Sequence, residues 1–412
     1  MEHTPSGQTA AVHPLDALRY PAFRLLWGGT LAASLAQQVQ WVASSYLVYE
    51  ITGSPFLLGL TGLFRALPLF LFSLAGGALA DAVDRRKLLL ITQSAATLIS
   101  AGLTLLALES GLEVWHLYAA TFLTASTSAL FNPSRMALVP RRVPPAVLMN
   151  AVTFNTVAQQ SSMLVGPVLA GLIVGAWGAA GAYGLCALGF GISVAASIGL
   201  PGGASPAGRE RPGSLASVAA GVRFVGKQPA LMALLALDFG VTFLAAYRFI
   251  MPVFAKDILG VGPEGLGLLL AAPGAGALVG SVSVIALGNV RHKGALVLGT
   301  TALFGLGVIA FSGSTWVPLS VALAALLGYL DSVSVITRNT IILLMTPDAL
   351  RGRVQSVVQI VVQGSPALAG LQVGTVAALI GAAPALALGG LLCLGMVGLV
   401  RLRVPALWHA PA

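Results

Sequence analysis

Charge is what this sequence lacks most. Only 8% of its 412 residues are Asp, Glu, Lys or Arg, against about 25% in soluble domains, so water could not wet the surface in the ordinary way. A soluble globular enzyme is thereby excluded. Cysteine is nearly missing as well: Cys186 and Cys393 lie in apolar segments without CxxC spacing, which leaves packing as their role. Five histidines, His3, His13, His116, His292 and His409, fall in tails or at segment ends. None forms a metal-type pair, so neither a metal nor another cofactor is expected. A Gly-x-x-x-x-Gly-Lys-(Ser/Thr) phosphate loop is absent too, which argues against an ATP-driven pump.

What the chain has is apolar length, with 57% hydrophobic residues and a mean hydropathy of +0.91. Its 49 Gly and 23 Pro sit inside apolar runs without a triplet period, so they do not indicate a collagen-like or disordered chain. Membrane helices tolerate both residues. Apolar stretches of the length a span needs, roughly 20 residues, run over 23–49, 55–80, 88–108, 115–139, 149–175, 178–200, 229–255, 263–288, 294–312, 316–345, 354–380 and 382–402. They predict an all-α polytopic membrane protein with twelve transmembrane helices. The expected order is a tail (1–22), a six-helix bundle (23–200), a connection (201–228), a second six-helix bundle (229–403) and a tail (404–412). Within the connection, Ser214–Gln228 places Val218, Val222 and Val225 on one side and Arg223 and Lys227 on another, the pattern of a helix lying at the membrane surface. The polar stretch up to Tyr20 has no apolar core before a cleavage site, so the first span is expected to be the insertion signal.

The scarce charges are unevenly placed. Of the 22 basic residues behind the net +9, 18 fall in the tails and even-numbered connections, while the odd-numbered connections hold only Lys256. By the positive-inside rule both termini are cytoplasmic, in the cell (inner or plasma) membrane. The basic excess is then an orientation signal with contact to anionic membrane lipids, and nucleic acid is not an expected partner. The halves also repeat. At an offset of 208, Pro21, Pro55 and Gly59 meet Pro229, Pro263 and Gly267, and Arg85 meets Lys293; at 203, Arg135 meets Arg338 and Pro144 meets Pro347. A six-plus-six parallel repeat implies two pseudo-symmetric bundles with a pathway between them.

After span 2 stands Gly77-Ala-Leu-Ala-Asp81-Ala-Val-Asp84-Arg85-Arg86. It resembles the loop signature of the major facilitator superfamily, with Ala82 in place of the usual basic residue and Asp84 where Gly is common. An ordinary positive-inside loop is the alternative. The resemblance implies a conformational switch in which Asp81 engages the positive N-terminal end of span 11, near Val354. In span 5, Ser162-x-x-x-Gly166-Pro167-x-x-Ala170-Gly171 resembles the superfamily's antiporter motif and implies export. Close packing of small residues, with a bend at Pro167, is the alternative. Phe23–Trp27, Leu47–Pro55, Asn132–Arg135, Val165–Pro167 and Leu350–Arg353 resemble the drug- and siderophore-exporter branch, the transmembrane secretion effectors. That resemblance implies a monomeric secondary exporter of small amphipathic organic molecules, coupled to a proton or another cation and working by alternating access. Uptake or lipid transport on the same fold are alternatives. A membrane-embedded enzyme would need a nucleophile–base pair or metal cluster, which the scattered histidines do not supply.

Five ionisable residues fall inside spans: Arg65, Asp238, Arg248, Asp331 and Arg338. Each costs about 2.5–3.5 kcal/mol to insert and so is expected to face a cavity or a partner. Arg65 is expected near the midplane with Asp331 at similar depth, and Asp238 in the inner half of span 7. Asp331 and Arg338 are two turns apart, about 10 Å, too far for pairing to be assured. In the superfamily, spans 1, 4, 7 and 10 line the cavity, which makes Asp238 and Asp331 candidate proton carriers; a static charge pair is the alternative. A carboxylate that alternates between dry and wet surroundings can bind and release a proton. Arg338, matched to Arg135, is a candidate cavity or gate residue, and a structural role near the cytoplasmic gate is the favoured reading. Span 1 carries Gln37, Gln38 and Gln40 but no acid, leaving the coupling ion open. Polar stripes at Gln38, Trp41 and Ser45, at Asn155, Gln159 and Ser162, and at Gln355, Gln359 and Gln363 are candidates for cavity lining or for joining helices.

Overall fold

Hydrocarbon offers backbone groups no water, so an apolar chain must close its own hydrogen bonds, and helices do this within one segment. The computed structural model describes residues 13, 15–82, 84–201, 215–288, 290 and 292–408, and these form helices joined by short turns, with no strand among them. In the first half are α1 (Pro21–Thr52), α2 (Pro55–Ala82), α3 (Arg85–Leu108), α4 (Val114–Leu138) and α5 (Leu148–Ile198). A short α6 (Leu215–Gly226) leads into α7 (Pro229–Leu244), α8 (Tyr247–Val253), α9 (Gly262–Leu287), α10 (Lys293–Ser312), α11 (Val317–Met345), α12 (Arg351–Ile380) and α13 (Ala382–Arg403). Among the described residues, eight helical stretches are long and apolar enough to cross a membrane. The stretch Pro145–Ile198 is long enough for two crossings, and α1, α2 and α4 have 32, 28 and 25 residues. Twelve crossings result. The outer surface suits hydrocarbon: Leu98, Trp177, Ile285 and Leu379 all stand exposed.

The repeated prolines have a local reason. Pro21, Pro55 and Pro229 open their helices, and Pro263 is the second residue of α9. A first-turn N–H has no partner in the helix, so proline loses nothing there. Spans 5 and 6 are two helices within α5 that meet without a loop at Gly178, whose non-helical backbone, φ of +63°, is open to a residue without Cβ. One expectation needs correction. Span 7 is not one helix: it breaks at Ala245–Ala246, resumes as α8 and ends in a π turn over Phe254–Ile258. Pro252 lies just downstream and cannot donate the N–H that would pair with the Arg248 carbonyl. The helix expected at the membrane surface forms over Leu215–Gly226. Its Val225 is buried and its Val222 exposed, while the side chain of Val218 lies outside the described residues.

In the first half α5 packs along α1 and α3, and α4 packs on α2 and α3; in the second, α11 packs on α9 and α10, and α10 on α13. The halves meet where α2 crosses α12 and where α5 crosses α9. Both crossings are made of glycine. A Cβ on Gly59 would stand 2.5 Å from the Gly370 carbonyl oxygen, and one on Gly374 2.5 Å from that of Pro55. At the other crossing, a Cβ on Gly267 would stand 2.6 Å from the Pro167 carbonyl oxygen, and Gly171 is closed off by Pro263. Gly59 matches Gly267 at the 208 offset and Gly171 matches Gly374 at 203, so the repeat relates one crossing to the other. Both lie toward the end of the molecule away from its termini. There Tyr49 Oη donates to Asp257, Lys256 Nζ donates to the Glu50 carbonyl at 3.3 Å, and the ammonium sits 5.7 Å from the Tyr49 ring centre.

Methyl groups at these crossings should therefore be costly. Gly59→Ala and Gly374→Ala are each expected to destabilise the protein by about 1–3 kcal/mol through overpacking. Gly102→Ala, where nothing lies within 4 Å of the added carbon, should leave stability unchanged or slightly raised. Thermal unfolding of the purified variants in one detergent measures the contrast.

Candidate functional site

Between the crossings and the terminal end lies a cavity of about 350 Å³, lined from both halves. The first half supplies Gln38 and Trp41 from α1, Arg65 from α2 and Pro167 from α5; the second supplies the α7–α8 break, with Arg248, and Asp331 from α11. Arg65 reaches over Trp41, its guanidinium carbon 5.3 Å from the ring centre. The Trp41 ring meets Phe249 edge to face at 6.4 Å. Phe249 fits there because Gly62 and Gly370 have no side chain: its ring carbons stand 3.4 and 2.9 Å from where a Cβ would be.

The break is what turns α8 into part of the site. Ala245 N–H still bonds to the Val241 carbonyl, but Tyr247 N–H bonds to Ala245 only two residues back. The α-helical ladder is lost over this turn, and Tyr247, Arg248 and Phe249 all border the cavity. Tyr247 is buried against Phe304 and Phe311, and the Arg248 Nε donates to the Tyr247 hydroxyl at 3.4 Å. Asp331 lies within electrostatic reach of Arg248, Tyr247 and Asp238. Nothing in the apolar run of span 7 marks the break itself; Pro252 is the available signal. Without the break, Tyr247 and Phe249 look like ordinary core aromatics.

The other intramembrane charges pair away from the cavity lining. Arg338 on α11 donates through Nη2 to Asp238 on α7, and both residues are buried. Asp331 is thus not the ion-pair partner of Arg338; the neighbouring helix supplies one. At the corresponding place in the first half, Arg135 is also buried but faces a neutral group, donating from Nη1 to Asn155 Oδ1 at 3.3 Å. On α1, Gln37 donates to Ser128 and Gln40 donates to Thr124 at 2.9 Å, so these glutamines tie α1 to α4. Ser45 is buried and bonds to its own helix. Gln159, Gln355 and Gln359 are exposed and do not line this cavity, and the side chain of Gln363 lies outside the described residues.

The two motifs hold backbone together. Asp84 caps α3, accepting from Arg86 N–H at 2.8 Å, which gives this acid a task of its own at a position where the signature commonly has glycine. Arg86 donates to the Ser197 and Ile198 carbonyls, which end α5 and have no partner within it. Arg142 donates to the Pro201 carbonyl at 2.9 Å. Its guanidinium is held below its ordinary value by burial first, then by Arg141 and Arg86, with Asp84 opposing. Gly77 and Asp81 fall in the last turns of α2, and the Asp81 side chain lies outside the described residues. In α5, Ser162 donates to the Ala158 carbonyl at 2.7 Å, and Ala170 is fully buried. Gly166 lies against Gln38 of α1, Pro167 borders the cavity, and Gly171 makes the crossing with α9.

A family model described as transmembrane secretion effector matches residues 12–410. The chain belongs to this family. Two relatives are the enterobactin exporters EntS of Shigella boydii serotype 4 (strain Sb227) and Escherichia coli O1:K1 / APEC, each 28% identical over 336 residues, covering 81% of this chain and 80% of theirs. Among solved structures, a bacterial homolog to the human lysosomal transporter Spinster superposes with a TM-score of 0.70 at 13% identity, covering 96% of this chain and 97% of that one. A POT family transporter in complex with 5-aminolevulinic acid gives 0.72 at 13%, covering 93% and 96%. The nucleoside transporter NupG gives 0.67 at 12%, covering 92% and 98%. These likenesses are of fold. The secretion-effector chain is a multi-pass membrane transporter built as two six-helix bundles of the major facilitator type.

Breaking the Asp238–Arg338 pair leaves a buried charge without its partner. Asp238→Asn or Arg338→Gln alone is expected to cost about 3–5 kcal/mol, and the double variant less than the sum, since neither charge is then left alone. A double-mutant cycle of unfolding in detergent reads the coupling.

Proposed function

We propose that this protein is a secondary active exporter of small amphipathic organic molecules, driven by a proton or another cation and working by alternating access. One observation carries the reading: ionisable groups from both halves, Arg65 from one and Arg248 and Asp331 from the other, face a single cavity midway along the helices. A solute held there touches both bundles, so its binding free energy can bias how they rock. The family match and the exporter relatives support outward transport. Asp331, in the cavity and without an ion-pair partner within 4 Å among the described residues, is the proposed proton carrier. Asp238 is proposed to respond to it through Arg338.

In this reading the end carrying the termini is cytoplasmic, in the inner membrane, as the basic residues indicate. The glycine crossings and the Tyr49–Asp257 contact then close the outer side. Opening that side would separate α2 from α12 and α5 from α9, while the loop clamped by Arg86 is carried along with its own half. Substrate, coupling ion and lipids are the proposed partners of a monomer that carries out no bond chemistry.

Inside-out vesicles with an imposed pH gradient test the reading. The unaltered protein should accumulate an amphipathic solute, and Asp331→Asn should fall to near the rate seen without a gradient while still binding it. Gradient-driven transport at the normal rate in both Asp331→Asn and Asp238→Asn would remove these residues as proton carriers.

A further inference from the structure

The cavity's charges do not balance. Two guanidiniums, Arg65 and Arg248, face one carboxylate, Asp331. Ion pairs form at Arg19–Asp16, Arg338–Asp238 and Arg351–Asp348, and none of them involves one of the three cavity groups. The two arginines differ. Arg248 has the Tyr247 hydroxyl as a hydrogen-bond acceptor and Asp331 within electrostatic reach. Arg65 has the face of Trp41 and no hydrogen-bond acceptor among the described groups. A cation placed at this depth is costly unless something compensates it, and five N–H donors in a planar fork suit an oxyanion.

The walls beside Arg65 are aromatic, with Trp41 and Phe249 in edge-to-face contact, and Phe304 and Met163 complete an apolar surface. At about 350 Å³ the space is of the size that takes small molecules. An acid to attract a cationic solute is absent from span 1, where Gln37, Gln38 and Gln40 stand. Asp331, the one carboxylate among the described lining residues, already lies in the field of Arg248.

We propose that the cavity selects amphipathic anions, aromatic molecules carrying a carboxylate or a similar oxyanion, with the anionic group on Arg65 and the ring against Trp41 and Phe249. Arg248 supplies a second cation, and Asp331 sets a limit on the anionic charge accepted by opposing a second negative group. This rests on the exporter reading in one respect, that the cavity is where substrate binds.

The test uses the full chain in phosphatidylcholine nanodiscs, with empty discs as the blank, and two probes of similar shape: naphthylacetate and naphthylethylammonium. Equilibrium dialysis should show saturable binding of the carboxylate about tenfold or more tighter than the ammonium, the value of a charge-assisted hydrogen bond in a shielded site. Arg65→Gln should erase most of that preference, and Arg65→Lys should keep part of it. Equal binding of the probes, preference for the ammonium, no saturable binding of either, or a preference that survives both Arg65→Gln and Arg248→Gln would overturn the proposal. Because the preference of the unaltered protein is read first, a variant that fails to fold does not remove the test. Vesicle transport separates the two readings. Gradient-driven movement of the ammonium without preference for the carboxylate would overturn the anion selection and leave the exporter standing. Selective carboxylate binding without movement of either probe would do the reverse.

Discussion

The two halves of this molecule touch where side chains are missing, and the rest of the structure depends on that contact. Gly59 and Gly374 at one crossing, and Gly267 and Gly171 at the other, let backbones approach until an added Cβ would meet a carbonyl oxygen. In a membrane there is little hydrophobic force between helices, so association relies on close packing and on polar contacts. Four glycines on four helices supply the first; Tyr49, Asp257 and Lys256 supply the second. Because both crossings lie toward one end, the helices leave room between the halves further along, and the cavity forms there. Their repeat relation makes the two contacts equivalent.

Within that frame the five intramembrane charges divide by their surroundings. Asp238 and Arg338 face each other across α7 and α11 and are buried together, which relieves the cost of each. Arg65, Arg248 and Asp331 border space instead. The division follows the helix break: before it, Asp238 of α7 pairs with Arg338 of α11, and beyond the interruption at Ala245–Ala246, Arg248 borders the cavity. Had α7 run straight, Arg248 would sit elsewhere on the helix surface relative to Asp238. One short irregular segment thus separates a buried ion pair from the groups that border the cavity.

Membrane class, helix count, the two-half organisation and the family were legible along the chain, because each rests on composition or on local spacing. The apolar runs had to be helices, since hydrocarbon leaves backbone groups no other partner. Helix-start prolines and paired basic residues carried the repeat. The site was partly legible: Gln38, Trp41, Arg65, Arg248 and Asp331 stood out as polar, aromatic or charged residues in apolar spans, and the cavity contains all five. Gln355 and Gln359 of α12 stood out equally, and they are exposed away from the cavity lining. Periodicity identifies a helical face, but not what that face meets.

What remained for the tertiary structure was pairing across helices and the places where regular geometry fails. No spacing rule links Asp238 to Arg338, one hundred residues apart, or Arg86 to the last carbonyls of α5. The equivalence of Gly171 with Gly374 is present in the numbering, yet glycine is so frequent here that the match means something only once both are seen at a crossing. Tyr247 and Phe249 reached the site through a break in a run that reads as continuous helix. Composition and local spacing are enough to make this chain span a membrane as helices in two related halves, because hydrocarbon leaves backbone groups no partner outside their own helix. Which charges neutralise each other and which stay open to a solute was decided by tertiary packing, because that depends on distances between segments remote along the chain.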